Sequence, residues 1–142
     1  MVLQRNSIPD SLHIEGFFKF MTLRSRRRMV ALFNGNKKAQ KKFYSKLAHD
    51  VEFQENYILN IDASFHTPEG ILKLIFEYGK INHPCYIISS DGKLKNRYMK
   101  LDEALENVVG YAGGTFISIL PGELGFVEYA EMSERYLLVR KW

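Results

Sequence analysis

Residues 115–130 read TFISILPGELGFVEYA, and the class of the whole chain follows from them. Thr115, Phe116, Ile117, Ser118, Ile119 and Leu120 are mostly β-branched, aromatic or bulky, the composition of a pleated strand. Pro121-Gly122 interrupts the run, because proline presets φ and glycine takes the positive φ that a tight turn needs. Bulky runs resume at 126–130 and, after a turn near Met132-Ser133, at 136–141. Three successive strands joined by short turns predict an antiparallel meander.

Upstream, strand and helix signals alternate. Asp102 reads as the cap of a short helix in which Ala104, Leu105, Val108 and Val109 face inward and Gly110 is the stop. Residues 85–89 read as a strand ended by Asp91-Gly92, with 97–100 as its hairpin partner. Thr67-Pro68-Glu69 is a helix start, with Thr67 as cap, and Ile71, Leu72, Ile75 and Phe76 form its apolar stripe. Residues 57–61 are bulky but too few for a helix, which predicts a short strand or extended connector. Residues 110–114 hold three glycines ahead of a strand, the wrong order for a phosphate loop and suited to a tight strand entry.

The first fifty residues have helical spacing instead. Asp10 caps a stretch over 11 to about 23 that carries Leu12, Phe17, Phe20 and Met21, with Gly16 an unfavourable residue inside it. Ser25 caps a second helix that ends at Asn34-Gly35, and Asn36 caps a third. In the third, Ala39, Phe43 and Leu47 share one side while Lys38, Lys41, Lys42 and Lys46 share the other. Helices followed by strands predict an α+β fold over 1–142: N-terminal helices packed on one face of a mainly antiparallel sheet that ends in a C-terminal meander.

Composition limits the classes further. The chain has 142 residues, 46% hydrophobic and 25% charged, which suits one globular domain and excludes disordered and disulfide-scaffold classes. Cys85 is the one cysteine, so no intrachain disulfide forms, and a reducing, cytoplasmic location is expected. No apolar run approaches the roughly 20 residues of a membrane span, and residues 1–10 lack the apolar core of a signal peptide. The net charge of +4 is unevenly spread. Residues 1–50 hold eleven Lys or Arg against three Asp or Glu, giving +8, and residues 51–142 hold nine against thirteen, giving −4.

That basic front is the feature with functional content. Arg26, Arg27, Arg28, Lys37, Lys38, Lys41 and Lys42 form the expected partner-binding set, for an acidic protein or a nucleic acid. Lysines neutralise phosphates, and arginines add bidentate contacts. The competing reading is a small enzyme assembled from His83, Cys85 and the C-terminal glutamates Glu123, Glu128, Glu131 and Glu134. Against it, a cysteine at an apolar strand start is an ordinary core residue, and charges along strand edges protect a sheet from further pairing. His13, His49, His66 and His83 lack the spacing of a helical metal pair; His49 suits a helix C-terminus and His66 a loop. No cofactor fingerprint occurs, so no cofactor or metal is expected. Phe17, Phe18 and Phe20 imply a first helix buried on two sides or an oligomer surface, and Trp142 either packs on the last strand or marks a contact. The expected function is therefore a non-catalytic binding or regulatory protein.

Overall fold

The computed structural model describes residues 8–48, 50–129 and 135–140. His49, Glu131, Met132-Ser133, Glu134 and Trp142 lie outside them. Six strands form one antiparallel sheet: β1 (Ile58–Asn60), β2 (Cys85–Ser89), β3 (Arg97–Met99), β4 (Thr115–Leu120), β5 (Leu124–Glu128) and β6 (Arg135–Val139), in the order β1-β6-β5-β4-β2-β3. The meander β4-β5-β6 is its centre. Gly122, at φ 72°, turns the chain between β4 and β5 as the Pro-Gly pair predicts. The edges are β1 and β3, three residues each. β2 and β3 pair as expected but through a longer connection than a two-residue turn, in which Leu94 is buried and Asn96 adopts φ 64°.

Five helices flank the sheet: α1 (Asp10–Lys19), α2 (Leu23–Phe33), α3 (Lys37–Lys46), α4 (Pro68–Phe76) and α5 (Leu101–Val108). The side-chain alternation of the strands assigns them to two faces. Tyr86, Ile88, Phe116, Val127, Tyr136 and Leu138 pack with Phe17, Phe20, Met21, Met29 and Phe43 from α1 to α3 and the turns between them. Cys85, Ile87, Ile117, Ile119, Phe126 and Leu137 pack with Ile71, Ile75, Ala104, Leu105 and Val108 of α4 and α5. The N-terminal helices thus cover one face as expected, and α4 and α5 cover the second face, which the expected arrangement left open. The cause is visible in β2 and β4, whose near-continuous apolar runs leave no polar side to face water.

Local chemistry sets the ends of the helices. Asn36 accepts from the Ala39 N–H and Thr67 from the Gly70 N–H, so these two caps stand where the sequence places them. The other starts move. Pro9 precedes α1, and Lys100 takes the cap position of α5 in place of Asp102. Thr22 caps α2 by accepting from the Ser25 N–H, while the buried Ser25 hydroxyl accepts from the Glu52 N–H and pins the segment after α3. The first helix ends early because Met21 bridges to Phe53. Gly16 lies against the β4–β5 turn, where a Cβ would collide with Gly122 N and stand 2.8 Å from the Pro121 carbonyl carbon. The glycine that weakens α1 by propensity is the one that lets it reach the sheet.

His13, also on α1, is fully buried. Its Nδ1 lies 2.6 Å from the Ser118 Oγ, and its ring stacks on Tyr86 at 5.4 Å and meets Tyr98 edge-on. Burial, with His83 nearby, lowers its pKa from 6.5 to about 4 although Asp10 opposes the shift. The unfolded chain therefore takes up a proton between about pH 6.5 and 4 that the folded chain refuses.

Two measurements check this account. Denaturant titrations across pH should show stability that is full above about pH 6.5 and falls towards pH 4, with a His13→Gln variant lacking on the order of 3 kcal/mol of that fall; equal slopes in the two proteins would contradict the burial. Gly16→Ala should cost about 1–3 kcal/mol, whereas Gly92→Ala, with open space around it, should change stability by less than about 0.5 kcal/mol.

Candidate functional site

Two surfaces carry clustered charge, and the first is the outer side of α2 and α3. The helices are joined by a three-residue turn and pack through Phe33 and Phe43, whose centroids are 5.1 Å apart. With Phe43 and Leu47 held in the core, the helical period turns Lys37, Lys38, Lys41 and Lys42 outward, and all four are exposed. Arg27 and Arg28 are exposed on α2. None of these six makes an ion pair with another described residue. Lys46, at the margin, is half-buried and pairs with Asp50 at 3.3 Å.

Arg26 behaves differently. Its Nε donates to the Phe18 carbonyl at 3.0 Å, and one terminal nitrogen donates to Lys19 at 3.3 Å and Met21 at 3.5 Å. These carbonyls lie at and just beyond the end of α1, where Phe18 also accepts from the Met21 N–H and Met21 from Gln54, so Arg26 ties α2 to α1 while Arg27 and Arg28 face solvent. Arg28 borders a recess of about 320 Å³ shared with Arg24, Asp50 and Glu52, which marks the acidic limit of the basic face.

The second surface is a cleft of about 770 Å³ on the other side of Glu52. One wall is the segment Val51, Glu52, Phe53 and the following 3-10 turn with Glu55; β1 supplies Ile58 and Asn60, and the ends of β5 and β6 supply Tyr129, Arg135 and Tyr136. A chain of hydrogen bonds runs behind it. Glu128, only 3% exposed, accepts from the Gly110 N–H at 2.9 Å and from Arg135 Nε at 2.7 Å. Arginine has no acceptor, so the 3.4 Å contact between its Nη1 and His66 Nδ1 has the guanidinium donating, and His66 Nε2 then donates to the Ile61 carbonyl at 2.8 Å. His66 thus holds one tautomer.

This network corrects the reading of Glu128 as a solvated edge charge. β5 and β6 are interior strands, and Glu128 and Arg135 are directly opposed across their ladder. A buried carboxylate survives there because an arginine and a backbone N–H satisfy it. The glutamate cluster is also dispersed, since Glu123 is exposed at the opposite end of β5.

Cys85 and His83 stand elsewhere. Cys85 is fully buried on the α4/α5 face, and burial pushes its thiol up to about 12. His83 Nε2 is 2.7 Å from the Ile119 carbonyl and engaged there. Tyr86 pairs with Ser118 and Glu128 with Thr115, which places Cys85 and Glu128 about four residues, or roughly 13 Å, apart along β4. The described residues contain no group of three or more His, Cys, Asp or Glu able to hold a metal ion, and no helix among them is long and apolar enough to cross a membrane. Comparison with protein-family models, curated proteins and solved structures finds no match for this chain.

The state of Cys85 is directly measurable. At neutral pH a maleimide should label it only as fast as the chain unfolds, with full labelling in denaturant; prompt stoichiometric labelling of the native protein would show an accessible, ionisable thiol.

Proposed function

We propose that this chain is a non-catalytic binding protein whose α2–α3 face contacts the phosphate backbone of a nucleic acid. The supporting observation is the make-up of that face: Arg27, Arg28, Lys37, Lys38, Lys41 and Lys42 are exposed without acidic partners among the described residues, and α3 exposes no large apolar side chain. Protein interfaces draw most of their energy from aromatic and apolar anchors in desolvated pockets and deplete lysine at their centres. A face rich in lysine and arginine, on which Leu23 at the start of α2 is the one exposed large apolar side chain, suits a partner that supplies dense negative charge, and displaced counterions then drive association.

On α3 the residue pairs Lys37/Lys41 and Lys38/Lys42 are four apart, so their Cα atoms rise about 6 Å along the axis. Ammonium groups on flexible stems adapt such a row to a polyanion without reading bases. The mode is therefore electrostatic, sequence-tolerant and sensitive to salt. Arg26 takes no part in it, because its guanidinium is spent on α1.

Affinity for single- and double-stranded oligonucleotides across a salt series tests this reading. Wild type should bind with a steep negative dependence on salt, and a Lys38→Gln, Lys41→Gln, Lys42→Gln variant should lose up to about three units of that log–log slope while keeping stability within about 1 kcal/mol. Absence of binding at low salt would redirect the search to an acidic protein.

A further inference from the structure

We propose that the cleft beside β1 and β6 binds a small organic cation, an ammonium or guanidinium group bearing N–H donors. Its volume of about 770 Å³ falls within the range of small-molecule sites, and its walls mix apolar, aromatic and charged groups. The ligand class follows from the charge left over once the internal pairs are counted.

Arg135 is the single lysine or arginine among the lining residues, and Glu128 stands directly behind it at 2.7 Å. The pair is neutral in sum, and the Arg135 side chain is only 12% exposed. His66 accepts from Arg135 and donates to Ile61, so neither ring nitrogen is left to hold an anion. Glu52 and Glu55 remain. Glu52 accepts one hydrogen bond, from the Thr22 hydroxyl at 3.2 Å to Oε1, while its Oε2 has no partner among the described residues, and Glu55 makes no side-chain bond there. Two carboxylates without an ion-pair partner among the described residues line this cleft in a protein of net charge +4, with Arg24 and Arg28 on the far side of Glu52.

The aromatic walls point to the same class. Phe53, Tyr129 and Tyr136 line the cleft and pack edge to face, with centroids 6.3 Å apart for Phe53 and Tyr136 and 5.6 Å for Tyr129 and Tyr136. Tyr129 is fixed by donating its hydroxyl to the Val51 carbonyl at 3.0 Å. Phe53 and Tyr136 are largely buried, so these rings form an electron-rich, apolar floor to the cleft, a lining that favours cations over carboxylates. Carboxylates at the rim and fixed rings in the wall together form a receptor for a positively charged head with an apolar body. This site adjoins the α2–α3 face at Glu52 but draws none of its lining from the lysines and arginines of that face.

Two probes of matched shape and opposite charge, 2-phenylethylamine and 3-phenylpropionate, decide the matter when titrated at constant ionic strength with backbone amide shifts as the readout. The amine should saturate with shifts centred on Ile58, Asn60 and Tyr129, the acid should not, and a Glu52→Gln, Glu55→Gln double variant should bind the amine about tenfold or more weakly. A Glu103→Gln, Glu106→Gln variant, which removes the same charge from the exposed side of α5, should bind as wild type does. Binding of the acid in preference, equal weakening by both double variants, or no saturable shift from the amine in the millimolar range would each overturn the proposal. Thermal melts of both variants, expected within a few degrees of wild type, separate lost binding from lost fold.

Discussion

The central strands of this sheet have no face left for water, and the other features follow from that constraint. An antiparallel sheet can leave one side solvated, but here β2 and β4 carry bulky residues in both directions. One layer of helices would leave Cys85, Ile87, Ile117 and Ile119, or else Tyr86, Ile88 and Phe116, exposed. Two layers are required, and the chain supplies α1 to α3 first and α4 and α5 later. Close approach of those layers then places demands on single residues: glycine at position 16, a neutral imidazole at position 13, and a fully paired carboxylate at position 128.

Charge is sorted accordingly. Charged groups are excluded from both inner layers apart from Glu128 and its arginine, so cations accumulate on the outside of the α2–α3 layer, with carboxylates gathered around the segment that follows it. Glu52 sits between the two fields, with Arg28 in the recess on one side and the cleft on the other. Its backbone N–H is fixed by Ser25 and its carboxylate by Thr22, so the boundary between basic and acidic surface is built from the residues that start α2.

Features written in short stretches of sequence were legible there. Asn36, Thr67 and Pro68 mark helix starts because a cap is a bond across three residues, and the Pro-Gly turn is a matter of two. The lysine side of α3 could be read from its period alone. What could not be read depended on which strands become neighbours. Glu128 looks like an edge charge until β5 and β6 are known to be interior, and the alternation within each strand does not reveal that order. The signal that was present is one of sign: Glu128 and Arg135 carry opposite charges on successive strand runs, and such pairs stabilise a ladder when directly opposed. The cleft had no such signal, because its walls come from positions 22, 51–61, 66, 129 and 135–136 and meet only in the finished fold. The second layer of helix, by contrast, had a signal in the near-continuous apolar runs of β2 and β4 that the order of helices and strands concealed.

The strand order also has a bearing on how the chain reaches this state. β1 pairs only with β6, about eighty residues later, and α1 rests on β4 across about a hundred residues. Contacts of such separation form late, since long loops must close before they contribute. On a ribosome the Phe-rich N-terminal helices emerge long before the strands that will cover them, and Phe17, Phe18, Phe20 and Phe43 have only nearby apolar residues such as Met21, Met29 and Phe33 to cluster with during that interval. The lysines and arginines on the outside of the same helices confer mutual repulsion on nascent chains at the stage when their apolar sides are bare. The same helical period that buries the aromatic side therefore sets a charged side against contact between unfinished chains.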